Sequence, residues 1–313
     1  MRILVTGASG FVGRHLLRAL RERGDEVIAA GHASDGEEFV ALNLTDAENV
    51  RAVVDVARAD VVYHLAAQTF VPEAISAPAT TYETNIMGTA RLFDALHAAA
   101  NNDGAAVPRV ILVSSAEVYG KRPNSDLPFR ETLAPLPLNA YAASKVAQEA
   151  IGLAAFHTHG LPVIMTRAFN HIGPGQDDRF VVSSFARQLA AIAAGAPRLL
   201  LVGNLEAERD FLDVRDVVDA YIALARTGIP GEIYNICSGK PLKIKELLRQ
   251  LVTIAHVPVE IREDPARMRP VDIPISFGDN AKLRGATDWA PTRPLAETLR
   301  AIFAAHQAQS VAS

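Results

Sequence analysis

Residues 2–24 read RILVTGASGFVGRHLLRALRERG, and this stretch decides the fold. Ile3, Leu4 and Val5 form a short apolar run that reads as a buried strand. Glycines follow at 7, 10 and 13. Val12, Leu16, Leu17 and Leu20 then share one face of a helix, which Gly24 stops. A glycine turn between strand and helix lets backbone approach a pyrophosphate, whose charge sits on the helix N-terminus. The glycines alone mean little; the strand before them and the helix after them give the pattern its weight.

Outward from this unit, apolar β-rich runs at 26–30, 60–67, 109–115 and 162–169 read as strands. Helical patterns at about 45–60, 78–100 and 141–159 lie between them, with Thr45 or Asp46 as N-cap of the first. Unbroken Val, Ile and Leu runs separated by helices argue for a parallel sheet covered on both faces. Right-handed crossovers make it a doubly wound α/β sheet of the Rossmann type. The expected division is a dinucleotide-binding domain at 1–168, with a returning strand near 232–237, and a smaller substrate lobe at 169–313. Helical patterns in that lobe include 180–195, 216–225, 242–255 and 294–309.

Composition narrows the function classes. The chain has 313 residues, 49% hydrophobic and 21% charged, with a formal net charge of −4. No basic field is available for nucleic acid, so no nucleic-acid partner is expected. No apolar run approaches the ~20 residues of a membrane span, and the first residues lack the apolar core of a signal peptide. Cys237 is the sole cysteine, which fits a reducing, cytoplasmic setting. The nine histidines are scattered, and His157 and His159 fall on different helix faces, so no metal site is expected.

Two further stretches carry chemistry. SSAEVYG (114–120) ends a predicted strand, and YAASK (141–145) opens a predicted helix. Four residues apart, Tyr141 and Lys145 share a helix face. An ammonium beside a phenol favours the phenolate and is expected to lower the pKa of Tyr141. Such a Tyr passes a proton to or from a sugar oxygen while a nicotinamide moves a hydride.

Gly7, Gly10 and Gly13 at this spacing, with the Y-x-x-x-K pair, resemble the extended short-chain dehydrogenase/reductase family. The resemblance implies that the backbone of Gly7, Gly10, Phe11, Val12 and Gly13 meets the pyrophosphate, and that Tyr141 and Lys145 also border the cofactor. Leu65, Ala66 and Ala67 match the family's turn against the cofactor; Asn43 and Leu44 occupy the place of its Asp–hydrophobic pair at adenine. The second strand ends in Gly31-His32-Ala33-Ser34, with no carboxylate to repel a 2′-phosphate. NADP(H) is therefore favoured over NAD(H), with His32, Ser34 and Arg14 as polar groups toward the phosphate. The resemblance makes Ser115 the hydroxyl that assists Tyr141, and leaves Ser114 and Tyr119 as scaffold.

RAFNHIGPGQ (167–176), GNLEAERDFLDVRDVVDAY (203–221) and RMRPVDIP (267–274) resemble the nucleotide-sugar branch of that family, the GNL run its GDP-mannose members in particular. Implied substrate contacts are Asn170, Arg209, Arg269 and Asp272. Two guanidinium groups converging on a diphosphate make bidentate contacts. Gln68 and Thr69 are implied at the hexose. Members of the family dimerise through a four-helix bundle, for which 78–100 and 141–159 are the candidate helices.

The reaction turns on the neighbours of Ser115. A 4,6-dehydratase needs an acid and a base beside that hydroxyl; here they are Ala116 and Glu117. A methyl group moves no proton, so half of an elimination apparatus is missing. The simpler task left is hydride to C4 and a proton from Tyr141 to its oxygen; the resemblance implies that this is reduction of the 4-keto group of GDP-4-keto-6-deoxy-D-mannose to GDP-D-rhamnose. Glu117 keeps a GDP-mannose 4,6-dehydratase or a bifunctional enzyme open as an alternative. A nucleotide-sugar 4-epimerase and a non-catalytic NAD(P)-sensing regulator are the other readings.

Overall fold

A computed structural model of the protein describes residues 1–31, 39–103, 107–268 and 273–312. The opening unit forms as its sequence dictates: β1 (Arg2–Thr6) runs into the glycine turn, and α1 (Phe11–Glu22) leaves it. Leu16, Leu17 and Leu20 are buried on the sheet-facing side of α1. Each such leucine contributes about 1.5–3 kcal/mol of burial free energy. Gly24 ends the unit with φ +78°, in the left-handed region where glycine has no Cβ penalty.

The chain continues through β2 (Glu26–Gly31), β3 (Val40–Ala41), α2 (Ala47–Ala57) and β4 (Val61–His64). Asp46 is the N-cap of α2, accepting from the amides of Glu48 and Asn49 at 3.0 and 3.1 Å. Then come α3 (Val71–Ser76), α4 (Pro78–Tyr82), one π-turn (Glu83–Met87) and α5 (Gly88–Asp103). The single helix expected at 78–100 is thus broken at its π-turn. β5 (Arg109–Ser115), α6 (Ala140–His159) and β6 (Val163–Ala168) complete the first half.

Seven parallel strands form the main sheet in the order β10-β6-β5-β4-β1-β2-β3, where β10 is Ile233–Ile236. The chain winds outward from β1 through β2 to β3, then returns to lay β4 on the other side of β1. This reversal opens a crevice at the strands' C-terminal ends, where doubly wound sheets bind ligands. α2, α5 and α6 cover one face of the sheet, and α1 covers the other.

The second half supplies β7 (Asn170–Ile172), α7 (Val181–Ala193), β8 (Leu199–Val202), β9 (Glu208–Asp213), α8 (Val214–Thr227), β11 (Pro241–Lys243) and α9 (Ile244–Ala255). After these come β12 (Glu260–Glu263), β13 (Ile275–Ser276), α10 (Ala281–Ala286) and α11 (Leu295–Ala312). Their own core joins α7, α9 and α11 to β8 and β9 through Phe185, Leu189, Leu200, Leu247, Leu251, Leu299 and Phe303. The expected boundary at 168/169 is crossed by more than the returning strand. Val217, Tyr221 and Leu224 of α8, Leu283 of α10 and Trp289 pack with α1 and the main sheet. The reason is geometric: the face of α1 that buries Leu16 and Leu20 needs a neighbour, and α8 is the helix that supplies it.

The tightest constraint in the opening unit is steric. A Cβ on Gly13 would stand 2.3 Å from the carbonyl oxygen of Gly7 and 2.6 Å from that of Ala8. Both neighbours are backbone, so neither rotates away. Gly13→Ala is expected to cost about 1–3 kcal/mol of overpacking strain, read as a lowered midpoint in urea unfolding at unchanged slope.

Candidate active site

The site lies at the crevice and is held by backbone first. Gly7 has φ +70°, and a Cβ there would lie 2.7 Å from the Ala66 amide nitrogen. The β1 and β4 turns therefore touch backbone to backbone, which sets Leu65 and Ala66 against the glycine turn. Gly10 caps α1 without a side chain, and no acidic residue sits in the first turn. The amides of Phe11, Val12 and Gly13 lack intrahelical partners by position. This is a bare cradle aimed at an anion, and it fits a dinucleotide pyrophosphate. Phe11 also stacks on His171 at 6.2 Å, tying the cradle to β7.

At the adenosine end, Arg14 donates from Nε to the Ser9 carbonyl at 3.0 Å. Ser9 Oγ lies 3.1 Å from where a Gly31 Cβ would be, so Arg14 and Ser9 cluster at the end of β2. His32 and Ser34 fall outside the described residues, as do Arg269 and Asp272. Asn43 is exposed, and its Oδ1 accepts from the amide and hydroxyl of Thr45 at 3.1 and 2.8 Å. That oxygen is committed to the turn entering α2. Leu44 is buried against Gly88.

Ser115, Tyr141 and Lys145 meet where β5 ends. Asn139 caps α6 by accepting from the Ala142 amide at 2.8 Å, which aims the first turn into the crevice. Tyr141, one residue inside, is hydrogen-bonded to the Ser115 hydroxyl. Ser115 Oγ also accepts from the Glu117 amide at 3.2 Å. Lys145 donates from Nζ to the Val113 carbonyl at 2.8 Å, with its ammonium 5.8 Å from the Tyr141 ring centroid. Ser115, Tyr141 and Lys145 are all buried, and Glu117 is half-buried in the 3-10 turn Ala116–Tyr119.

One electrostatic expectation is overturned. Tyr141 is not pulled down by Lys145; burial pushes its pKa up to about 12, opposed by the Ser115 hydrogen bond and reinforced by Glu117. The same burial lowers Lys145 to about 7, with Glu149 acting against the fall. A lysine that has lost much of its charge at neutral pH does little to stabilise a phenolate. The site therefore holds a loaded phenol.

Tyr119 is fully buried, its hydroxyl donating to Asn235 Oδ1 at 2.7 Å and its ring packed on Phe129. It is scaffold. So is Ser114, whose hydroxyl donates to Glu149 Oε1 at 2.6 Å.

A buried polar chain that the sequence reading missed joins these parts. Thr6 Oγ1 lies 2.8 Å from His64 Nδ1, and His64 Nε2 lies 2.9 Å from Thr89 Oγ1. Thr89 donates to the Asn85 carbonyl at 2.7 Å, so it must accept from His64. Donor counting puts the imidazole proton on Nε2 and leaves Nδ1 to accept from Thr6. Asn85, in the π-turn, accepts from the Gln68 amide at 2.8 Å and donates to the Ser144 hydroxyl at 2.9 Å. Ser144 donates to the Tyr141 carbonyl at 2.7 Å. π-turns recur at functional sites because the extra residue re-aims a side chain. Here it turns Asn85 inward, fixing Gln68 and the first turn of α6 together. Buried polar residues spaced within helical text were the signal for this chain, but only their meeting gives them meaning.

Toward the second lobe, Asn170 is exposed at the start of β7 and pairs in register with Phe211 of β9. Arg209 lies two residues earlier on β9, hence on the same side of the strand as Phe211. Gln68 and the exposed Thr69 lie on the opposite, β4 side of the crevice. The aspartate beside Arg209 has a different task. Buried Asp210 accepts from the amides of Ser238 and Gly239 at 2.7 and 2.9 Å, pinning the loop after β10. Among the described residues, no group of three or more His, Cys, Asp or Glu is placed to hold a metal ion, and no helix is long and apolar enough to cross a membrane.

Comparison with known proteins adds to this geometry. Residues 3–237 match the family model described as the NAD dependent epimerase/dehydratase family. The chain is 41% identical to GDP-6-deoxy-D-mannose reductase of Pseudomonas aeruginosa, over 96% of each chain. It is 31% identical to GDP-6-deoxy-D-talose 4-dehydrogenase of Aggregatibacter actinomycetemcomitans, over 90% of each. The structure of RMD from Pseudomonas aeruginosa complexed with NADPH superposes with a TM-score of 0.89 at 39% identity, covering 98% of this chain and 99% of that one.

The buried chain makes a spectroscopic prediction. Desolvation, with Lys145 nearby, lowers the His64 pKa to about 3, so its imidazole is neutral above that value. Nitrogen NMR of the labelled protein should show His64 with its proton on Nε2 and no titration between pH 5 and 8. A His64 signal that titrates near its ordinary value would contradict the network.

Proposed function

Because this chain belongs to the NAD dependent epimerase/dehydratase family, we propose that it reduces the 4-keto group of GDP-4-keto-6-deoxy-D-mannose to GDP-D-rhamnose, with NADPH preferred over NADH. The observation that carries the reading is the buried Tyr141 beside Ser115, with Ala116 in place of a second acid or base. Full-length identity of 41% to a GDP-6-deoxy-D-mannose reductase supports the substrate class.

The nicotinamide cofactor, when bound along the glycine cradle, supplies hydride to C4. The protein's own groups do the rest. Phe11, Val12 and Gly13 offer amides to the pyrophosphate, and Arg14, at the end of β2, meets the 2′-phosphate. Ser115 holds the C4 carbonyl oxygen in line with the Tyr141 phenol. Tyr141 gives that oxygen its proton as C4 is reduced, and its raised pKa keeps the proton in place until a ketone arrives. Lys145, when charged, steadies the phenolate left behind. Asn170 and Arg209 hold the nucleoside diphosphate, and Gln68 and Thr69 face the sugar; Arg269, as a phosphate contact, and Asp272, as a substrate contact, rest on the sequence resemblance. Reduction asks nothing of Glu117 beyond its effect on the Tyr141 proton.

We also assign the protein to the cytoplasm, consistent with a single buried cysteine, and to a homodimer formed by α5 and α6. Tyr82, Met87 and Leu153 are apolar side chains left exposed on this helical side. Light scattering of the purified protein reads the mass directly, and a monomer would remove the assignment.

The decisive experiment offers GDP-4-keto-6-deoxy-D-mannose with NADPH or NADH and follows reduced-cofactor absorbance. Consumption with both, faster with NADPH, is expected; no consumption with either sinks the reading. Tyr141→Phe should lose about 10²-fold or more in turnover, the scale of general acid catalysis, with its melting temperature retained. Glu117→Gln should keep most of the ketone reduction, and Arg14→Ala should narrow the preference for NADPH. NMR of the product distinguishes the D-rhamno from the D-talo configuration at C4.

A further inference from the structure

We propose that Glu149, held by Arg167 and Ser114, is a positioning residue that keeps Lys145 charged and in place for the Tyr141 proton step. The inference rests on the reading that Tyr141 and Lys145 carry ketone reduction.

Glu149 stands one helical turn beyond Lys145 on α6, on the same face. Its carboxylate is buried and fully engaged. Arg167 of β6 donates from Nε to Oε1 at 2.9 Å and from its terminal nitrogen to Oε2 at 2.7 Å, a bidentate fork. Ser114 adds a third donor to Oε1 at 2.6 Å. Ser114 and Arg167 are register partners across β5 and β6, so the sheet itself presents both donors to α6. Arg167 is set from behind by the Tyr119 ring, 4.8 Å from its guanidinium carbon, and Tyr119 by Asn235.

A buried ion pair is a poor device for stability alone, since apolar side chains of similar volume usually do as well. This pair has a second use. Three donors fix the Glu149 carboxylate in a buried place, one helical turn from Lys145. Among the described residues, the charged and titratable groups around Lys145 are Tyr141 and Glu149 on its own helix, His64 from the end of β4, the Arg167 guanidinium of β6 beyond Glu149, and Glu117 on the far side of Tyr141. His64 is neutral, and the Val113 carbonyl supplies only a dipole. Glu149 is the carboxylate that acts on Lys145 to favour its ammonium form, against a burial that works the other way.

The sign follows. Lys145 is charged below its pKa and neutral above it, and loss of Glu149 lowers that pKa. The alkaline limb of kcat/KM for ketone reduction should then move to lower pH. In Glu149→Gln we expect a downward shift of at least half a pH unit, with activity within about threefold of wild type at pH 6. Glu149→Asp, which keeps the charge, should return the limb toward its original position. Because Glu149→Gln leaves a buried guanidinium unpaired and could fail to fold, the double variant Glu149→Gln/Arg167→Met removes the pair together. It should fold and still show the lowered limb.

If the pair were only structural, the double variant would recover activity with the limb where the wild type has it, and that result overturns the proposal. Tyr141→Phe separates the two levels. A variant that still turns over defeats the functional reading itself. An inactive Tyr141→Phe alongside an unmoved limb in the double variant defeats only the role of Glu149.

Discussion

The contact between Gly7 and the Leu65–Ala66 backbone is the constraint from which the rest of the site follows. With φ +70° and the Ala66 amide 2.7 Å from where a Cβ would be, no side chain fits between the two turns. Their closeness lets Thr6 receive the Ala66 amide at 3.3 Å and reach His64. From His64 the buried chain runs through Thr89, Asn85 and Ser144 to the backbone of Tyr141. The glycine turn and Tyr141 are thus joined by one hydrogen-bonded chain. Buried polar chains of this kind favour a single arrangement, because breaking a link leaves a buried group unpaired.

The electrostatics of the site are set by burial before they are set by charges. Desolvation raises Tyr141 and lowers Lys145 and His64 together, so each drifts toward its neutral form. Local partners then correct the drift selectively: Ser115 for Tyr141 and Glu149 for Lys145. A phenol that keeps its proton at neutral pH has one to offer a ketone oxygen.

In the second half, the acidic residues of 208–216 do the holding. Asp210 pins the amides after β10, Asp213 caps α8 and accepts from Thr298 at 2.7 Å, and buried Asp216 accepts from Thr292 and Arg293. These bonds bind the segment that carries Arg209 to both the main sheet and the far core. Sequence reading singled out Arg209 because the RDF run resembles that of nucleotide-sugar enzymes. It passed over the aspartates, because a structural carboxylate and a solvated one look alike until burial is known.

Sequence by itself determined the parallel sheet, the glycine cradle and the Tyr141–Lys145 pair. All three rest on local rules, namely strand and helix periodicity, the steric freedom of glycine, and the four-residue spacing that puts two side chains on one helix face. The same text left the short strands of the second lobe unread, since two to four residues carry too little periodicity. It also drew one helix where a π-turn interrupts it at Glu83–Met87. Only the tertiary structure decided that α8 belongs with the main sheet and that Tyr141 keeps its proton despite the lysine beside it. It also decided that Glu149 meets Arg167. Each of these depends on burial or on partners distant in the chain, and desolvation has no representation in the order of residues.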